Sequence, residues 1–78
     1  MFTREYFIKE SVSFRRKMGQ KSFWGDVEKA SLAMKGLIYC YMHIEKETEQ
    51  DWVNLNSCML EFDRRLAYIM GSEVKYVG

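Results

Sequence analysis

VEKASLAMKGLIYCYMHI, residues 27–44, and WVNLNSCMLEFDRRLAYI, residues 52–69, decide the fold. In the first stretch Val27, Ala30, Met34, Leu37, Tyr41 and Ile44 follow one another at alternating steps of three and four residues. Trp52, Leu55, Met59, Phe62, Leu66 and Ile69 repeat that spacing in the second. Steps of three and four lay side chains along one stripe of a helix, whereas a strand would need alternation by two. Both stretches are therefore read as amphipathic helices.

The flanking residues suggest where these helices begin and end. Ser22 is a candidate cap for the first, with Asp26 and Glu28 favouring its opening turn. Thr48 followed three residues later by Asp51 resembles a capping box for the second, and Gly71 is the residue type that closes a helix in the left-handed conformation. Helices near 23–46 and 49–70 follow. The connector Glu45–Thr48 is too short for anything but a sharp reversal, so the pair is expected to form a long antiparallel hairpin. Its seam would run from Val27 beside Ile69 to Ile44 beside Trp52, roughly 26 Å at 1.5 Å per residue.

The first 21 residues admit two readings. Thr3 can cap a shorter helix running to Met18 and stopped by Gly19, with Phe7, Phe14 and Met18 on one face. Alternatively, Tyr6, Ile8, Val12 and Phe14 occupy even positions as in a strand, which would make the fold α+β with the tail Val74–Val77 as a second extended segment. A lone strand beside two long helices leaves unpaired edges, so the helix is favoured and the fold is read as all-α, a small helical bundle. The 78 residues, 47% of them hydrophobic and 15% aromatic, suit one domain spanning 1–78.

Helix geometry also orients the surfaces. Ala33, Gly36 and Cys40 form a strip of small side chains a quarter-turn from the first stripe, and Cys58 lies to the same side of the hairpin. Glycine inside a helix costs about 1 kcal/mol relative to alanine, so the N-terminal segment is expected in this groove, with Phe7 and Phe14 over Gly36 and Ala33. On the opposite side Trp24, Ile38, Met42, Leu60, Ala67 and Met70 make a surplus apolar face. Such a face calls for a cover, and a homodimer or a permanent protein partner supplies one.

Chemistry is sparse. Cys40 and His43 could offer two ligands to one metal, but tetrahedral coordination needs two more and no C-x-x-C pair is present. No cofactor is expected. A thiolate–imidazole pair from the same residues lacks a third orienting group and oxyanion donors. Glu45, Glu47, Glu49 and Asp51 read as a solvated face, and no phosphate loop or nucleophile elbow occurs. These residues point away from an enzyme.

Charge is the one polarised feature. The chain carries a formal +1, but residues 1–21 hold Arg4, Lys9, Arg15, Arg16, Lys17 and Lys21 against Glu5 and Glu10, a net +4, leaving −2 over 22–50 and −1 over 51–78. Arg15, Arg16, Lys17 and Lys21, near Phe23 and Trp24, could contact phosphates, or an acidic protein surface equally well. No apolar run approaches the ~20 residues of a membrane span, and the opening residues do not resemble a secretory signal, so no membrane partner and a cytoplasmic location are expected. The leading expectation is a non-enzymatic protein-interaction module acting as a small inhibitor or adaptor, of the kind frequent among bacterial and phage regulators. Its alternative is a nucleic-acid-associated protein using the basic N-terminal region.

Overall fold

A computed structural model describes residues 1–74, with side chains through Gly71. Three helices are formed: α1 (Arg4–Met18), α2 (Val27–Met42) and α3 (Glu49–Val74), with a short 3₁₀ turn at Lys21–Gly25 between the first two. The all-α reading of the sequence holds, and there is no strand among the described residues. An isolated backbone bridge joins Phe2 to Ile44. Residues 4–16 are helical, and the even-numbered Tyr6, Ile8 and Val12 are exposed while Phe14 is buried, so their alternation is not the spacing of one face. Of the extended tail expected at 74–77, Val74 is instead the last residue of α3, and 75–77 lie outside the described residues.

α1 begins where Thr3 Oγ1 accepts from Tyr6 N–H at 3.1 Å, and Arg15, Arg16 and Lys17 occupy its last turn, where cations offset the negative helix end. α1 ends at Met18 and α3 begins at Glu49 as expected, but both ends of α2 and the end of α3 differ from the sequence expectation. Residues 23–25 wind as a 3₁₀ turn rather than α-helix, because the Trp24 indole N–H turns back to the Met18 carbonyl at 3.0 Å. Asp26, not Ser22, then caps α2 by accepting from Lys29 N–H. α2 stops at Met42 instead of 46. The backbone beyond it is claimed by the N-terminus: Phe2 N–H donates to the His43 carbonyl at 2.9 Å and Glu45 N–H donates to the Phe2 carbonyl at 3.0 Å. Lys46 then takes a positive φ of 52° to reverse the chain. At the far end Gly71 has no left-handed φ and α3 continues through it to Val74, so it terminates nothing.

The helices run up, down, up. Arg4 meets Asp51, Ser11 meets Asn54, Arg15 meets Asn54 and Ser57, and Arg65 reaches the Met18 carbonyl, so α1 and α3 are parallel. α2 runs against both, with the Phe7 and Tyr41 rings 5.6 Å apart near one end and Trp24 and Phe62 5.3 Å apart near the other. Between them lies a core of Phe7, Phe14, Met18, Ala30, Met34, Leu37, Cys40, Ile44, Leu55, Cys58 and Phe62. On α3 the buried line passes through Asp51, Leu55, Cys58 and Phe62, and Trp52 and Met59 are displaced towards the edge, because α3 is covered by two helices and not one.

Asp51 is 1% exposed and does not belong to a solvated face. Its carboxylate accepts from Arg4 Nε at 2.6 Å and Nη2 at 2.9 Å, and from Thr48 N–H at 2.9 Å, while Thr48 Oγ1 accepts from Asp51 N–H. The capping box is real, and an arginine from another helix completes it. The aromatic rings, in contrast, do not cover Gly36. It is exposed, and a Cβ there would meet nothing within 4 Å.

Two outcomes follow for stability. Asp51→Ala removes a buried charge pair and a helix cap, and urea denaturation should show a loss of about 2–4 kcal/mol. The Arg4 hydrogen bonds lower the Asp51 pKa below its ordinary value. A lowered folded pKa contributes stability in full above the ordinary carboxylate value near 4, and that contribution disappears as pH falls through the folded value. Acid should therefore flatten the difference between parent and variant. Gly36→Ala, in open space on a helix, should raise the unfolding free energy by up to about 1 kcal/mol, and a destabilised variant would show hidden crowding at that site.

Candidate interaction surface

Trp24 sits on the 3₁₀ turn, half-buried, with its ring against Phe23 at 5.1 Å and Phe62 at 5.3 Å. Past it α3 continues. Met18 is level with Arg65, so residues 66–74 extend roughly 13 Å beyond the end of α1 at 1.5 Å per residue. Along this overhang Tyr68 is 80% exposed, and Trp24, Arg64, Arg65, Ala67, Tyr68 and Ile69 line an open groove of about 660 Å³. The two arginines are held in place from below. Arg64 Nη2 donates to both Glu61 oxygens at 2.8 Å, and Arg65 pairs with the same carboxylate while donating to the Met18 carbonyl at 2.8 Å. Arg64 and Arg65 together lower the Glu61 pKa to about 2.

The apolar residues singled out from the sequence are distributed over several surfaces. Trp24 belongs to the overhang groove. Met70 is on the overhang itself, Met42 ends α2 at 68% exposure, and Ile38 is half-buried against the core. Leu60, 63% exposed, lines a shallow depression with Val53, Asn56, Ser57, Glu61 and Arg64 on the outer side of α3.

The four cations singled out also separate. Arg15 is bound to α3, with Nη2 at 2.7 Å from Asn54 Oδ1 and 3.1 Å from its carbonyl. Arg16 is exposed, one helix step of 100° from Arg15. Lys17 lines a cleft between α1 and α2, and Lys21 opens the 3₁₀ turn. Basic residues adjacent in sequence thus point to different sides of the molecule.

That second cleft, of about 300 Å³, has Phe2, Tyr6, Glu10, Ser13, Phe14 and Lys17 on one side and Ala33, Gly36, Leu37 and Cys40 on the other. The strip of small residues is therefore a groove, with its floor open at Gly36. Cys40 and Cys58 are buried free thiols whose pKa values are raised by burial, with the Glu10 charge adding to the effect at Cys40. His43 is exposed, its ring 4.3 Å from that of Tyr39. Among the described residues no group of three or more His, Cys, Asp or Glu could hold a metal ion, and no helix is long and apolar enough to cross a membrane.

Compared with protein-family models, with curated proteins and with solved structures, the chain has no match. Function therefore rests on the surfaces themselves. The site that sequence reasoning missed is the overhang groove, because Tyr68, Arg64 and Arg65 join Trp24 only once the 3₁₀ turn folds against Phe62.

Burial and raised thiol pKa values give a direct expectation. A thiol reagent at pH 8 should modify Cys40 and Cys58 slowly in the folded chain and at the rate of a free thiol once the protein is unfolded, as read by mass spectrometry.

Proposed function

We propose that the protein is a non-enzymatic interaction module, a small cytoplasmic inhibitor or adaptor that docks a larger protein through the groove beneath the α3 overhang. The observation that carries this reading is the convergence of Trp24, Tyr68, Arg64 and Arg65 on one open groove. Tryptophan, tyrosine and arginine dominate the energetics of protein interfaces, because they bring large area and fixed donors at low ordering cost. Here the cost is lower still, since Trp24 is held by Met18 and both arginines by Glu61. The matching partner surface is an apolar side chain beside a carboxylate, which would fill the space between Trp24 and Tyr68 and pair with Arg64.

A photo-crosslinking phenylalanine analogue at position 68, in the cell that makes the protein, tests this reading. The expected result is one protein adduct, lost on Arg64→Glu and retained on Arg16→Glu. Since Tyr68 is an exposed residue, Tyr68→Ser should leave the melting temperature within about 2 °C of the parent. Crosslinks to nucleic acid that weaken steeply with salt would overturn the proposal in favour of a phosphate-binding role. The absence of any specific adduct would overturn it too.

A further inference from the structure

The cleft between α1 and α2 carries a pattern that the overhang does not explain. Its charged lining residues are Glu10 and Lys17, both on α1 and two helix turns apart, about 10.5 Å along the axis. Neither is in an ion pair among the described residues, although Glu10 is half-buried. Ser13, a small residue, lies between them, three residues from Glu10 and four from Lys17, and lines the same cleft. The opposite wall is low, since Gly36 has nothing within 4 Å of where a Cβ would stand. Leu32 and Tyr39, on the outer side of Gly36 by helix rotation, are 64% and 58% exposed.

One acid and one base, seven residues apart on one helix with their midpoint between Ser13 and Phe14, form a self-complementary pattern. An antiparallel copy of the same helix, related by a twofold axis passing near Ser13 and Phe14, sets each Lys17 opposite the other copy's Glu10. Two identical ion pairs form where neither charge has an internal partner. We propose that this cleft is the homodimer interface, filled by α1 of a second copy of the chain, with Lys17 of each copy over Gly36 and against Glu10 of the other. The open floor accommodates the lysine stem, and Tyr6, Leu32 and Tyr39 are the apolar side chains that dimerisation covers. This interface is independent of the α3 groove, which stays free in the dimer for another partner.

Sedimentation equilibrium of the full chain over a concentration series is the test, with circular dichroism melts showing that each variant is folded. The parent should dimerise. Glu10→Lys and Lys17→Glu should each raise the dissociation constant by at least about tenfold, because each sets like charges opposite one another twice. The double variant E10K/K17E should recover the parental constant, since the swapped charges again meet across the axis. Tyr68→Ser should leave the dimer unchanged, which separates this interface from the α3 groove. A monomeric parent at high concentration would overturn the proposal. So would single variants that dimerise like the parent, or a double variant no better than the singles.

Discussion

The structure depends on a carboxylate placed where two helices begin. α1 and α3 are parallel, so their N-termini, each with a partial positive charge, lie at the same end of the bundle. Asp51 is buried there, accepting from the backbone N–H of Thr48, which precedes its own helix, and from both Nε and Nη2 of Arg4 on the other. A lone buried carboxylate is costly, but this one has donors on two sides and stands near two positive helix ends. The Phe2 bridge to His43 and Glu45 fastens the end of α2 to the same point. One end of all three helices is thus fixed by a few polar contacts around Asp51, and the rest of the bundle is held by apolar packing.

Helical periodicity makes α2 and α3 legible from the residues alone. Ala30, Met34, Leu37 and Ile44, and Leu55 and Phe62, are buried where their spacing places them. The capping roles of Thr3 and Thr48 are equally legible, since the signal lies within four residues. What escapes a reading of the sequence is decided by distant parts of the chain. Asp51 resembles the neighbouring acids of an exposed turn until Arg4, 47 residues away, arrives beside it. Met42 ends α2 because Phe2 takes the next backbone groups, and Trp24 leaves the α-helical path because Met18 offers a carbonyl at the end of α1. Each of these boundaries is a tertiary contact overriding a local preference, and the residues involved carry no mark of it in their own neighbourhood.

The candidate surfaces have a physical origin in unequal lengths. α3 has 26 residues against 15 in α1 and 16 in α2, so part of it must emerge from the bundle. The emerging segment still carries the apolar stripe, with Leu66 packed against the core and Ile69 half-buried, and Trp24 of the 3₁₀ turn lines a groove beside it. Shortening α3 would remove that emerging segment but also the position of Tyr68. A helix longer than its two neighbours therefore leaves an open groove beside Trp24 and Tyr68 as a direct result of the chain's construction.

Gly36 makes the same argument at the scale of one residue. Glycine within a helix sacrifices stability, and the usual return is close approach by another element of the chain. Here Leu37 and Phe14 fill the space between α1 and α2, while Gly36 faces the cleft with no internal neighbour to accommodate. The cost is therefore not offset inside a single copy. What glycine does provide is a depression at the level of the half-buried Glu10 carboxylate, accessible from outside the chain. Flanked by the exposed Leu32 and Tyr39, that depression has a small-residue floor, apolar sides and two charges, Glu10 and Lys17, without an ion pair among the described residues.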